Sequence, residues 1–148
     1  MKVNPPIRKE IDRKFLIQMI KEGYVDAIST DHAPHTKEEK EKGAPGFIGL
    51  ETAFSTCFRV LVKSGEISLN KLVEIMSTNP ARILDLNKGK LEKGYEADFV
   101  LIDLDEEYIY KEEEIASKSK NSLMIGQKLP ARIKKVYKKG ILKYEDNR

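Results

Sequence analysis

YVDAISTDHAPHT, residues 24–36, joins a short apolar run to a polar segment that holds both histidines of the chain. The run YVDAIST shows little apolar–polar alternation, as expected of a strand covered on both faces in a parallel sheet. Upstream, Ile11, Phe15, Met19 and Ile20 recur at helical spacing, and Gly23 supplies a C-terminal stop. A helix feeding directly into such a strand is half of a βαβ unit. Downstream, DHAPHTKEEKEKGAPG (31–46) is polar and carries two prolines and two glycines, which predicts a long loop with a short solvated helix at KEEKEK. An aspartate at the end of a parallel strand is where α/β barrels place chemistry, and Asp31 sits there. A carboxylate at that point can ligate a metal and take a proton from a water. The same residues also suit a plain polar loop, with Asp31 capping a turn and the histidines at the surface. Spacing leaves both open.

Metal arithmetic narrows the first option. A two-metal hydrolytic centre takes about six protein ligands and a single catalytic zinc about three. With two histidines and one cysteine in 148 residues, this sequence can lend one or two ligands to such a centre. The same cysteine count excludes an internal disulfide framework and suits a reducing compartment. A net charge of +3, from 27 basic and 24 acidic residues, gives little reason to expect nucleic-acid binding. The N-terminal residues lack the apolar run of a signal peptide, and no stretch has the length to span a bilayer, so a cytoplasmic protein with no membrane partner is expected.

Beyond the loop, Leu50, Phe54, Cys57, Phe58, Leu61 and Val62 mark one broad face of a helix over 50–63, closed by Gly65. Ser68 is placed to cap a shorter helix, and Thr78-Asn79-Pro80 to start another. After residue 88 the character changes. DFVLIDL, EYIYK and RIKKVYKKGILKY are strand-like, the last as two strands about Lys139-Gly140. The sequence therefore divides at about residue 88 into a helix-rich α/β piece (1–88) and a β-rich piece (89–148). Cys57 lies on an apolar face and reads as core. Lys134, Lys135, Lys138 and Lys139 read as protection for a sheet edge. One buried parallel strand is no sheet, so the sequence implies neighbours from elsewhere.

Taken together, KVNPPIR, DAISTDHAPHT, GAPGFIGLETA, STNPARIL and KGYEADFVLIDLDEEY closely resemble the C-terminal third of bacterial class I dihydroorotases, over nearly the whole chain. The resemblance implies the last units of a metal-dependent (β/α)8 TIM barrel, followed by the C-terminal half of a small β-sandwich. The implied reaction is the reversible hydrolysis of the cyclic amide dihydroorotate to N-carbamoyl-L-aspartate in pyrimidine biosynthesis, on a binuclear zinc centre. Asp31 then matches the zinc-binding aspartate that shuttles the proton. Asn4 and His35 match substrate contacts, and Pro45 and Gly46 match the loop whose backbone closes over the substrate. His32 follows the motif without an assigned role. The family's His-x-His pair, its bridging carboxylate or carbamylated lysine, its two later metal histidines and its substrate-binding arginine are not found here. The expectation is thus a fragment that is inactive alone. The full enzyme is expected to be a homodimer, with aspartate carbamoyltransferase as a possible partner. The alternatives are an idle structural partner of that transferase, a small basic binding module, or a related hydantoinase or allantoinase.

Overall fold

The computed structural model describes residues 2–146. Helix α1 runs Glu10–Glu22 and ends on Gly23, whose φ of 87° lets its N–H turn back onto the carbonyl of Ile20. Helix α2, Lys37–Glu41, starts at Thr36, whose hydroxyl accepts from Glu39 N while the Glu39 carboxylate accepts from Thr36 N. The solvated helix expected at KEEKEK is therefore present. Helix α3, Ala53–Cys57, continues into a π-helical turn, Phe58–Val62, and closes at Gly65 as expected. Helix α4, Leu69–Val73, begins where Ser68 Oγ accepts from Lys71 N.

One expectation needs correction and another a refinement. No strand forms at 24–30, where the backbone is extended but joins no sheet; its backbone bonds run to helices, Tyr24 N to Met19 O at 3.0 Å and Ile28 N to Ile75 O at 3.1 Å. A strand is defined by its partner, and among the described residues no strand pairs with this segment. The helix expected from Thr78-Asn79-Pro80 is present, with Pro80 in its first turn, but it does not begin afresh. A π-helical turn, Glu74–Thr78, links α4 to α5, Asn79–Ile83, in one continuous run. That turn closes with Asn79 N–H on Glu74 O; the next carbonyl, Ile75 O, which Pro80 has no N–H to serve, accepts from Ile28 N instead.

Strand β1, Phe99–Ile109, merges the two strand-like runs of the sequence; β2 is Lys128–Lys138 and β3 Ile141–Glu145. They form an antiparallel sheet in the order β1-β2-β3. The β2–β3 turn is the expected Lys139-Gly140 pair, with φ of 52° and 74°, the geometry of a two-residue hairpin. Because β2 is central, Lys134 and Lys135 do not guard an edge. Lys135 pairs with Glu145 at 2.7 Å across the strands, and Lys134 meets Glu106 and Asp146.

Two apolar clusters hold these elements. Ile17, Ile20, Leu61, Leu72 and Ile75 form the first, with Cys57 packed against it; burial pushes the Cys57 thiol up, as suits a core position. Its expected α1 face is only half used: Ile20 is buried, whereas Ile11 and Phe15 are exposed and Ile17 is buried in their place. Ile48, Tyr110, Ile115 and Leu129 form the second cluster, which joins the loop before α3 to the strands. Ser55, fully buried on α3, donates to Ala131 O at 3.0 Å. Ala131, with φ 61°, lies where the β1–β2 register shifts, and that irregularity turns its carbonyl toward the helix. Among the described residues no helix is long and apolar enough to cross a membrane.

Candidate functional site

Asp31 ends the extended segment in the left-handed region, φ 46°, which aspartate tolerates better than most residues. Its side chain is exposed. The segment leading to it is pinned by Asn79, a buried amide whose Nδ2 donates to Asp26 O at 3.0 Å. Asp31 is therefore presented by a fixed backbone at the head of the loop.

The two histidines next in sequence have different duties. His32 Nδ1 accepts from the backbone N–H of Gly49 (3.1 Å) and of Leu50 (3.3 Å). Those bonds require a lone pair on Nδ1, so the neutral ring carries its proton on Nε2. His35 Nε2 lies 2.9 Å from Pro45 O, a carbonyl that can only accept, and its Nδ1 is 3.5 Å from the Glu39 carboxylate. Both rings thus reach from the 31–36 loop to the 45–50 loop.

The loops touch at backbone level as well. Ala33 N donates to Phe47 O at 3.0 Å, and Gly46 N donates to Lys2 O at 2.8 Å. Gly46, φ 108°, lies so close that a Cβ there would stand 2.6 Å from Ala33 Cβ. Only glycine fits. Lys40, on α2, donates to Ala44 O (2.5 Å) and Gly46 O (2.7 Å). Under both loops runs the 115–122 segment. Glu51 accepts from Ala116 N and Ser117 N at 3.1 and 3.0 Å, and Tyr110 OH is 3.5 Å away. Burial first, then the neighbouring Glu51 charge, pushes the Tyr110 phenol well above its usual range, so it remains a donor.

Of the residues singled out in sequence, His35, Pro45 and Gly46 are in direct contact, and Asp31 heads the same loop. Asn4 is exposed and has no direct bond to them; Lys2, two residues before it, reaches Gly46. Sequence reasoning missed Lys40, Glu51, Ser119 and Asn121. Among the described residues no three His, Cys, Asp or Glu side chains gather to hold a metal ion. Asp31 can lend one carboxylate, but His32 Nδ1 and His35 Nε2 are committed to backbone. These residues alone do not fit a complete metal centre.

Comparison with known proteins points to one family. A family model described as the amidohydrolase family matches residues 8–142. Dihydroorotase from Clostridium botulinum is 48% identical over 144 residues, 97% of this chain and 36% of that protein. Dihydroorotase from Aquifex aeolicus is 42% identical over 148 residues, 98% of this chain and 35% of the relative. Among solved structures, L-hydantoinase (dihydropyrimidinase) from Arthrobacter aurescens superposes with a TM-score of 0.91 at 29% identity, covering 99% of this chain and 35% of that one. D-hydantoinase from a Thermus species, at 22% identity and TM-score 0.91, shares the fold. The chain spans about a third of the length of the curated relatives it matches.

Proposed function

The chain belongs to the amidohydrolase family, and on that premise we propose that it corresponds to the C-terminal third of a bacterial class I dihydroorotase. The observation that carries the reading is the pair of interlocked loops, with Asp31 heading one and Pro45-Gly46 on the other, joined through His35. Identity of 48% to a dihydroorotase against 29% to a hydantoinase ranks the substrates in the same order.

In this reading the substrate is dihydroorotate, and the reaction opens the ring at an amide C–N bond. Asp31 takes the proton of the attacking water and returns it to the departing amide nitrogen, which leaves N-carbamoyl-L-aspartate. His35 faces the substrate carboxylate, the Asn4 amide bonds the ring, and the Pro45-Gly46 backbone closes over it. Family membership implies a metal cofactor. We take it to be zinc, with Asp31 as one ligand; when bound it supplies Lewis acidity toward the amide carbonyl. The remaining ligands must come from outside the residues described. The same proposal places the chain in a (β/α)8 barrel up to residue 88 and in a β-sandwich after it. It makes the whole enzyme a cytoplasmic homodimer, with aspartate carbamoyltransferase as candidate partner.

The test is complementation. The 148-residue chain is combined with the upstream two thirds of the Clostridium botulinum relative, loaded with zinc and assayed on dihydroorotate and hydantoin. Dihydroorotate turnover by the assembly, with none by the chain alone, is expected. Turnover of hydantoin but not dihydroorotate would replace the reading with its hydantoinase alternative. Turnover by the isolated chain would overturn the fragment.

A further inference from the structure

The bonds made by residues 119–121 point beyond the residues so far given a role. We infer that Ser119 and Asn121 are positioning residues that hold the His35 loop and the Pro45-Gly46 loop at one fixed separation. The consequence for substrate rests on the dihydroorotase reading above.

Asn121 Nδ2 has two hydrogens and uses both, one on Ala33 O (3.1 Å) and one on Gly46 O (3.3 Å). Two carbonyls can only accept, so the amide cannot be turned over. Its backbone carbonyl takes a third bond, from Ile48 N at 3.0 Å. One residue thus spans both loops and touches the second twice. Ser119 completes the clamp. Its buried hydroxyl accepts from His35 N (3.3 Å) and has two acceptors for its single proton, His35 O at 2.6 Å and Asn121 Oδ1.

Lys40 also donates to Gly46 O but makes no bond to the Ala33–His35 backbone, so it cannot set the gap between the loops. Nor can the loops approach further, because Gly46 already sits where a Cβ would collide with Ala33. The loops also meet directly, through Ala33 N on Phe47 O and His35 Nε2 on Pro45 O, and to these bonds the clamp adds a brace from side chains more than 70 positions away, as the separations of 84 and 75 show.

Asn121→Asp keeps the shape but sets lone pairs against two carbonyls; Ser119→Ala removes the hydroxyl, and Ser119→Thr keeps it. Backbone amide exchange of Ala33 and Ile48 is measured in the chain itself, and kinetics in the zinc-loaded assembly. Asn121→Asp and Ser119→Ala should speed exchange by about tenfold or more, the loss expected for one to two hydrogen bonds. In the assembly they should raise KM for dihydroorotate by about tenfold, with kcat changed less and zinc content unchanged. Ser119→Thr should behave as wild type in both. Unchanged exchange in Asn121→Asp, equal damage from Ser119→Thr and Ser119→Ala, or a fall in kcat at constant KM would each overturn the inference. Should Asn121→Asp fail to fold, the Ser119 pair decides. An inactive wild-type assembly removes the dihydroorotase reading, and exchange then decides the clamp on its own.

Discussion

Around Leu72 and Ile75, both fully buried, the helical layer is held by apolar contact with Ile17, Ile20 and Leu61. Around Asn121 the loop layer is held by directed bonds between side chains and backbone, with Ile48 and Ile115 among its few buried aliphatics. Apolar contact responds to volume and is indifferent to a few tenths of an ångström. A clamp of amide, hydroxyl and ammonium on carbonyl oxygens responds to single atoms. A site that must present His35 and Gly46 at a set distance gains from the second kind of support, and the first keeps the platform intact beneath it.

Four measurements would separate these two kinds of support. The largest effect is expected from Asp31→Ala in the assembled enzyme, a fall in kcat on the order of a thousandfold for loss of a proton-transfer group. Because Asp31 is exposed, the thermal midpoint of the chain should fall only by the strain of alanine at φ 46°, about 1 kcal/mol. Leu72→Ala should do the reverse, destabilising by about 2–5 kcal/mol in chemical denaturation while the activity per folded molecule holds. If it altered KM instead, the layers would not be separable. Gly46→Ala comes next, at about 1–3 kcal/mol, because a side chain at φ 108° would meet Ala33. Unlike Leu72→Ala it should also raise KM, which a dihydroorotate titration would detect.

The smallest effect belongs to the sheet. Lys128 and Lys63 hold the Glu107 carboxyl down from 4.5 to about 2. Its contribution to stability is therefore complete above pH 4.5 and is lost as pH falls toward about 2. Thermal midpoints of wild type and Glu107→Gln should differ slightly at neutral pH and converge in acid. The site loops should be untouched, as this pair lies at the surface.

The sequence disclosed most where physics is local. Gly23 and Gly65 as helix stops, Ser68 as a cap, the short helix at KEEKEK and the Lys139-Gly140 turn all depend on neighbours within a few positions. Asp31 and His35 were singled out by their motif, and the structure puts His35 against Pro45 as part of one unit. Segment 24–30 misled because its composition describes a buried strand, while pairing depends on partners composition cannot supply. Lys40 looked like one cation in a solvated helix, yet it donates to two loop carbonyls. Asn121 was illegible for a plainer reason: its partners Ala33 and Gly46 are 88 and 75 positions away. No periodicity marks such a bond.

The π-helical turn at Glu74–Thr78 has a rotational consequence. Each residue of a helix turns the chain by about 100°. Relative to a plain α-helix, the wide turn holds one extra residue, and so sets the azimuth of everything after it. Asn79 follows at once, and at this azimuth its amide meets Asp26 O, five positions before Asp31. Deleting one residue from 74–78 would shorten the run by a fraction of a turn but swing Asn79 away from that carbonyl. The aim of Asp31 is thus encoded partly as an angle, stored in a helix that never touches it.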